Sequence, residues 1–215
     1  MSAASYQIRV CQNPNCGLRY PLVDASGFGE RCPACLGATV AVEEKSLAPE
    51  TKTIVDSGPI HAGRQVLLDN IRSAWNAGSI LRSAEAFGFR RAYFCGITPT
   101  PDDPRVCKTA LGAERIVEWS AHMDAVHLLY NLKKQRYVIW ALEVTEYSVP
   151  IMSVVSDAGA FKNLVLVVGN EVAGVDPGIL EIADKVVHLP MNGQKRSFNV
   201  AVAFALAAQL IVLHN

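Results

Sequence analysis

Four cysteines stand close together near the start of the chain: Cys11 and Cys16 with four residues between them, then a fifteen-residue loop, then Cys32-Pro33-Ala34-Cys35. Two cysteines a few residues apart present both thiolates from one tight bend. Two such bends supply the four soft ligands that Zn²⁺ takes in a tetrahedron. The pattern predicts a structural zinc ribbon, with ordinary thiols or a redox pair as the alternative. A site with four cysteine ligands is closed, so the metal would hold the fold and leave no open position for a reacting molecule. Cys95 and Cys107, far along the chain, read as buried thiols. Arg9, Arg19, Tyr20 and Arg31 on the same module are candidates either for nucleic-acid contact or for a solvated surface.

Three further segments place polar groups where chemistry needs them. The first, Asn70-Ile71-Arg72-Ser73-Ala74-Trp75-Asn76-Ala77-Gly78-Ser79-Ile80-Leu81-Arg82, ends a strand, turns, and opens a helix with an arginine in its second turn. Backbone amides at a helix start, together with Arg82, form a phosphate or ribose-phosphate site. Alternatively Asn76 only caps the helix and Arg82 is a surface charge. In the second, the apolar run Leu164 to Val168 leads into Gly169-Asn170-Glu171, with a further glycine at Gly174. A carboxylate and an amide then sit at the carboxyl end of a buried strand, the edge where open α/β sheets bind ligands; a turn that only reverses the chain is the alternative. The third runs from His188-Leu189-Pro190-Met191 through a basic, glycine-containing loop to Ser197-Phe198-Asn199 at the mouth of an apolar helix. Ser197 there is a cap, or a cap and a site together. Arg64, Arg72, Lys108, Lys195 and Arg196 are candidates for phosphate contacts. Neither a Walker A lysine pattern nor G-x-G-x-x-G is present, which argues against nucleoside triphosphates and dinucleotides.

These side chains need a scaffold to position them. From about residue 60, short apolar runs alternate with helical stretches, the pattern of an α/β domain with a largely parallel sheet. Strands are expected at Gln65 to Ile71, Arg91 to Gly96, Tyr137 to Val144, Leu164 to Gly169 and Lys185 to Pro190. Helices are expected from about Ala77 to Phe87, capped by Asn76 and stopped by Gly88, from Asp124 to Gln135, and from Phe198 to His214. The last is apolar on nearly every side, so it belongs in the core or against a second subunit. Residues 46–59 are polar and proline-interrupted and read as a linker between a zinc-ribbon module, 1–45, and the main domain, 60–215. A length of 215 residues suits one domain with a small module. The formal net charge of zero excludes a global basic field, so any nucleic-acid binding has to come from local patches. No uninterrupted apolar stretch reaches membrane-spanning length, and Met1-Ser2-Ala3-Ala4-Ser5 lacks the character of a secretion signal. A cytoplasmic protein without a membrane partner is expected.

Taken in order, Asn76-x-Gly78-Ser79-Ile80-x-Arg82, Gly169-Asn170-Glu171-x-x-Gly174, and Pro190-Met191-x-Gly193 with Ser197-Phe198-Asn199-Val200 closely resemble the motifs of the SpoU-type RNA methyltransferases of the SPOUT superfamily. The resemblance runs from about Gln65 to the C-terminus, and Lys108 to Glu114 resembles the segment the family carries between its first two motifs. Where relatives usually have Ser-Leu-Asn-Val, this chain has Phe198, which leaves Ser197 and Asn199 in place. The resemblance implies an α/β fold with a C-terminal trefoil knot and S-adenosylmethionine as cofactor. It also implies a ribose 2′-hydroxyl of structured RNA, tRNA or rRNA, as acceptor, and a homodimer with the cofactor sites near the subunit interface. Carried over, the cofactor loops are Leu142-Glu143, Gly169-Asn170-Glu171 and Leu189 with Met191, closed by Ser197, Phe198 and Asn199. Arg82 is implied to contact the phosphate next to the target ribose, with Asn76, Glu171, Ser197 and Asn199 orienting ribose, arginine and cofactor. Because an arginine stays protonated, positioning and charge stabilisation suit Arg82 better than proton abstraction. A SPOUT enzyme that methylates a base nitrogen and a non-catalytic zinc-ribbon RNA-binding protein are the competing readings.

Overall fold

The computed structural model describes residues 5–23, 31–46, 63–158, 163–194 and 197–214. Contacts divide the chain into two compact units, Met1–Val55 and Asp56–Asn215. Beyond Ser46, the segment read as a linker lies outside the described residues, as do Lys195 and Arg196.

In the first unit β1 (Ser5–Cys11) pairs antiparallel with β2 (Arg19–Val23) and with β3 (Thr39–Ser46). Among the described residues, the only buried apolar side chains of this unit are Cys11 and Cys32. So small a sheet, with so few apolar side chains buried among its described residues, cannot be held by hydrophobic burial alone. The two bends that carry the cysteines are where another hold is available.

The second unit is built on β4 (Gln65–Asp69), β5 (Arg91–Cys95), β6 (Glu118–His122), β7 (Val138–Leu142), β8 (Val149–Pro150), β9 (Leu164–Val168) and β10 (Lys185–His188). Among the described residues they form one seven-stranded sheet in the order β6-β5-β4-β9-β7-β10-β8, with each neighbouring pair parallel. Strands β4 and β9 are buried at every position. Parallel strands covered on both faces read as continuous apolar runs, and β9, Leu-Val-Leu-Val-Val, is such a run. The helices α1 (Ala74–Ala86), α2 (Pro104–Ala110), α3 (Ala125–Lys134), α4 (Val155–Ala158), α5 (Pro177–Ile182) and α6 (Val200–Leu213) complete the unit. One core layer joins the sheet to α1, α2 and α6 through Ile80, Leu81, Phe89, Val106 and Phe204. The other joins it to α3 and α5 through Leu129, Leu132 and Ile179. No helix among the described residues is long and apolar enough to cross a membrane.

All five expected strands form. Two more, β6 and β8, carry no comparable signal: β6 is a partly exposed edge strand of sequence Glu-Trp-Ser-Ala-His, and β8 has two residues. Helix α1 corrects an expected cap. Ser73, in an extended conformation, is the N-cap, and its hydroxyl accepts the N–H of Asn76, which therefore stands inside the first turn with its side chain released for other work. At the other end Gly88 takes φ +70° just past the helix, the left-handed stop that glycine adopts without strain. Helix α6 starts later than expected and is capped by Asn199 rather than Ser197. It buries Phe204, Ala207, Ala208 and Ile211, with Phe204 edge-on to Phe89 at 5.2 Å, but leaves Val202, Leu206 and Leu213 exposed.

Candidate active site

The carboxyl ends of four adjacent strands, β4, β9, β7 and β10, converge on one edge of the second unit's sheet. A cavity of about 280 Å³ opens there. Leu142 and Glu143 reach it from β7, Gly169, Asn170 and Glu171 from the turn after β9, and Leu189 and Met191 from beyond β10. Ser197, Phe198 and Asn199, just before α6, close it. Every residue carried over to the cofactor loops thus lines one cavity, although the four segments are scattered over nearly sixty positions. Asn76 and Arg82 do not line it. Asn76 touches its rim through hydrogen bonds, while Arg82 is exposed on α1 and makes no hydrogen bond or ion pair among the described residues.

The turn after β9 is the organising element. The Asn170 side chain accepts the N–H groups of Val172 and Ala173 and donates to the carbonyl of Asn70 at 2.6 Å. Asn70 itself sits at φ +55° after β4, with its side chain accepting the N–H of Ile97. The turn is so tight at Gly169 that a Cβ there would lie 2.3 Å from the backbone nitrogen of Val175. The Glu143 carboxylate pins the same turn by accepting the N–H of Val175 at 3.0 Å and that of Val144 at 2.9 Å. Gly174, at φ +77°, must lack a side chain, since its Cβ would come within 2.5 Å of that carboxylate.

Glu171 points away from this turn, at the start of α1. One oxygen accepts the N–H of Arg72 at 2.8 Å; the other accepts the N–H of Ser73 at 3.1 Å and the Asn76 amide at 2.8 Å. An anion at a helix N-terminus also meets the positive end of the macrodipole. Partial burial works against the charge, but the hydrogen bonds from Arg72, Asn76 and Ser73 outweigh it and hold the carboxyl below the usual range. Both oxygens thus accept hydrogen bonds from the start of α1, and Glu171 orients Asn76 and the first turn of that helix. The Asn76 carbonyl oxygen in turn accepts the Asn199 amide at 3.1 Å, and the other end of the Asn199 side chain caps α6 by accepting from Ala201 and Val202. The row Glu171–Asn76–Asn199 therefore ties together the turn after β9, the start of α1 and the start of α6.

Among the lining residues not assigned to the cofactor loops, one carries a titratable side chain. His188, the last residue of β10, lines the cavity with its Nδ1 2.9 Å from the hydroxyl of Ser148. Its position directly before Leu189-Pro190-Met191 is the signal that could have found it. Of the candidate phosphate contacts, Arg72 and Lys108 are exposed near the start of α1. Arg64 is displaced from the group: it precedes β4, so it stands at the opposite edge of the sheet, where burial lowers its pKa and leaves its Nε without a partner.

In the first unit the sulfurs of Cys11, Cys16, Cys32 and Cys35 all lie within 4.8 Å of one another, with Cys11–Cys35 at 3.4 Å and Cys16–Cys32 at 3.7 Å. A tetrahedral site with Zn–S bonds of about 2.3 Å has sulfurs about 3.8 Å apart. Backbone N–H groups aim at these sulfurs: Asn13 at Cys11, Leu18 at Cys16, and Ala34 and Cys35 at Cys32. Such donors compensate thiolate charge. Arg9 bonds Thr39 and Gln7, Arg19 faces Glu43, and the Tyr20 hydroxyl donates to the carbonyl of Arg31. In the second unit burial pushes the Cys95 thiol up to about 12. Cys107 is only partly buried and donates to the Pro101 carbonyl at 3.0 Å.

A parallel α/β sheet with its cleft at the carboxyl ends of β9, β7 and β10, beside the strand-order reversal, defines a ligand-binding α/β architecture. The chain belongs to the SpoU rRNA Methylase family, whose model matches residues 63–209. It is 29% identical over 147 residues to the tRNA (guanosine(18)-2'-O)-methyltransferase of Thermus thermophilus, covering 66% of this chain and 70% of that one. The crystal structure of the A. aeolicus TrmH/SpoU tRNA modifying enzyme superposes with a TM-score of 0.62 and 29% identity, over 70% of this chain and 74% of that one. The SpoU methyltransferase AviRb from Streptomyces viridochromogenes, in complex with the cofactor AdoMet, shares the fold with a TM-score of 0.65 at 21% identity, over 82% of this chain and 68% of that one.

Proposed function

We propose that the chain transfers the methyl group of S-adenosylmethionine to a ribose 2′-hydroxyl of structured RNA, tRNA or rRNA. The observation that carries this reading is the row Glu171–Asn76–Asn199, which joins the cavity to α1, the helix bearing Arg82, in a chain of the SpoU family. The cavity fits the cofactor's chemistry. Leu142, Leu189, Met191 and Phe198 offer an apolar wall for an adenine and a thioether-like chain, while Glu143, Asn170, Ser197 and strand-end backbone groups face a ribose and an amino acid. Bound there, S-adenosylmethionine supplies an electrophilic methyl carbon and a leaving group that becomes neutral.

The chain's own task is to hold the hydroxyl in line with that carbon and to keep its charge compensated as it loses its proton. Arg82, exposed and without a hydrogen-bond or ion-pair partner among the described residues, is available to grip the phosphate beside the target ribose. Asn76 and Asn199 are held in register by Glu171 and present amide groups at the cavity rim. The trefoil knot belongs to the same reading, supported by β10 lying between β7 and β8. So does a homodimer, supported by the exposed Val202, Leu206 and Leu213 on α6. A structural zinc ion held by Cys11, Cys16, Cys32 and Cys35 is supported by the sulfur spacings and the aimed N–H groups.

The deciding experiment incubates the protein with labelled S-adenosylmethionine and total RNA from a strain lacking it, then maps the methyl group. A methyl on a ribose 2′-oxygen is expected. A methyl on a base nitrogen makes the chain a base methyltransferase, and calorimetric cofactor binding without transfer to any RNA makes it a non-catalytic RNA-binding protein. In the same assay Arg82→Ala is expected to slow transfer about a hundredfold or more while keeping cofactor affinity. Near-normal turnover in that variant removes Arg82 from the machinery.

A further inference from the structure

Trp75 is left unused by the site as described. It stands in the first turn of α1, directly before Asn76, yet is 51% exposed. The residue is nevertheless well held. The Thr109 hydroxyl donates to its carbonyl at 3.2 Å, and the Lys108 ammonium lies over its ring, 5.4 Å from the centroid. Both partners come from α2, which approaches α1 closely because residue 78 is a glycine: a Cβ there would fall 2.1 Å from the Thr109 hydroxyl and 2.2 Å from the Val106 carbonyl.

One cation covers the ring, and two more stand within a few residues of it along the chain. Lys108 lies over it, and the exposed Arg72 precedes it by three residues. Arg82 follows by seven residues, which at about 100° per residue puts it on the same side of α1 about 10 Å along the axis. An open aromatic face among side chains that attract phosphate matches the two halves of a nucleotide. Single-stranded RNA is recognised by stacking its splayed bases on such rings, with cations on the backbone.

We propose that Trp75 is a stacking platform for an unpaired RNA base beside the methylated ribose, with Lys108 and Arg72 on the flanking phosphates. This rests on the RNA-methylation reading above. It assigns α1 two duties: Arg82 serves the reacting nucleotide, and Trp75 grips its neighbour.

Wild type, Trp75→Ala and Trp75→Phe are compared for half-saturating RNA concentration and kcat in methyl transfer to bulk tRNA and rRNA. S-adenosylmethionine affinity, sedimentation and fluorescence quenching by a short single-stranded oligo(A) complete the set. The other tryptophans interfere little, since Trp140 is fully buried and Trp119 packs against Phe94. Trp75→Ala is expected to raise the half-saturating RNA concentration about fivefold to a hundredfold with kcat and cofactor affinity kept. Trp75→Phe should restore most of the loss, and oligo(A) should quench the wild type but not Trp75→Phe. An unchanged half-saturating concentration in Trp75→Ala, or equal quenching in Trp75→Phe, overturns the platform. So does a change of assembly in Trp75→Ala, which would make the ring part of a subunit contact. If the wild type methylates no RNA while oligo(A) still quenches Trp75, the methylation reading fails and the platform stands.

Discussion

Glu171 shows how one side chain can organise the edge of a cavity through its hydrogen bonds. Its oxygens serve three donors at the start of α1, so its charge stabilises that helix and aims Asn76 at once. The folded carboxyl titrates below its ordinary value. Its stabilisation is therefore complete above the unfolded pKa, about 4.3, and is lost as pH falls through the lower folded value. Glu171→Gln is expected to cost about 1 kcal/mol at pH 7, a helix-capping magnitude kept small because the group is solvent-accessible. Melting curves of the two proteins should then converge only as pH falls below the lowered folded value; an offset that persists at acid pH would mean that packing rather than charge is responsible. That Glu171 belongs to the site is legible from Gly-Asn-Glu after an apolar strand. That it faces the helix start and not the substrate is not legible, because its partners Arg72, Ser73 and Asn76 lie nearly a hundred positions earlier in the chain.

The contact between α1 and α2 turns on Gly78. Alanine would favour the helix by about 1 kcal/mol, yet its Cβ would collide with the Val106 carbonyl, a backbone group that cannot swing aside. Overpacking of this kind costs about 1–3 kcal/mol and has to overcome the propensity gain. Gly78→Ala is expected to destabilise the second unit on balance, lowering its melting temperature by a few degrees, and to shift Lys108 from Trp75. A stabilised variant would show that α2 yields. Local signals placed the interior of α1 correctly but missed its cap, because Ser73 and Asn76 are both good capping residues. Only the extended backbone at Ser73 chooses between them. The same ambiguity, between Ser197 and Asn199, shifted the start of α6.

The two units are held by different forces. The second buries a layered apolar core on both faces of its sheet; the first buries only Cys11 and Cys32 among its described apolar side chains. Metal binding in such a module is folding free energy. The purified protein is expected to carry one zinc ion per chain by elemental analysis. Chelation, or Cys32→Ser, should expose residues 5–46 to protease while the melting of the second unit stays put; protection unchanged without metal would refute the ribbon. Assembly is tested on α6. Val202, Leu206 and Leu213 fall within about 40° of one another around the helix at 100° per residue, and all three are exposed. A lysine at the middle of an interface leaves a buried unpaired charge, so Leu206→Lys is expected to halve the sedimenting mass. If the wild type is already monomeric, the stripe is not a subunit contact.

What the amino-acid sequence determines by itself is whatever follows from neighbours in the chain. Apolar runs set the five main strands, paired cysteines mark the two bends of the first unit, and Gly169, Asn170 and Glu171 follow a buried strand. The three motifs together identify the family. Only the folded chain shows that Leu142, Asn170, Leu189 and Phe198 share one cavity, that Asn199 donates to Asn76, and that Lys108 covers Trp75. These pairings span tens to more than a hundred residues, and no local propensity encodes a partner at that separation. They arise because a parallel sheet brings the ends of distant strands to one edge, where Glu171 and Asn199 meet the start of α1.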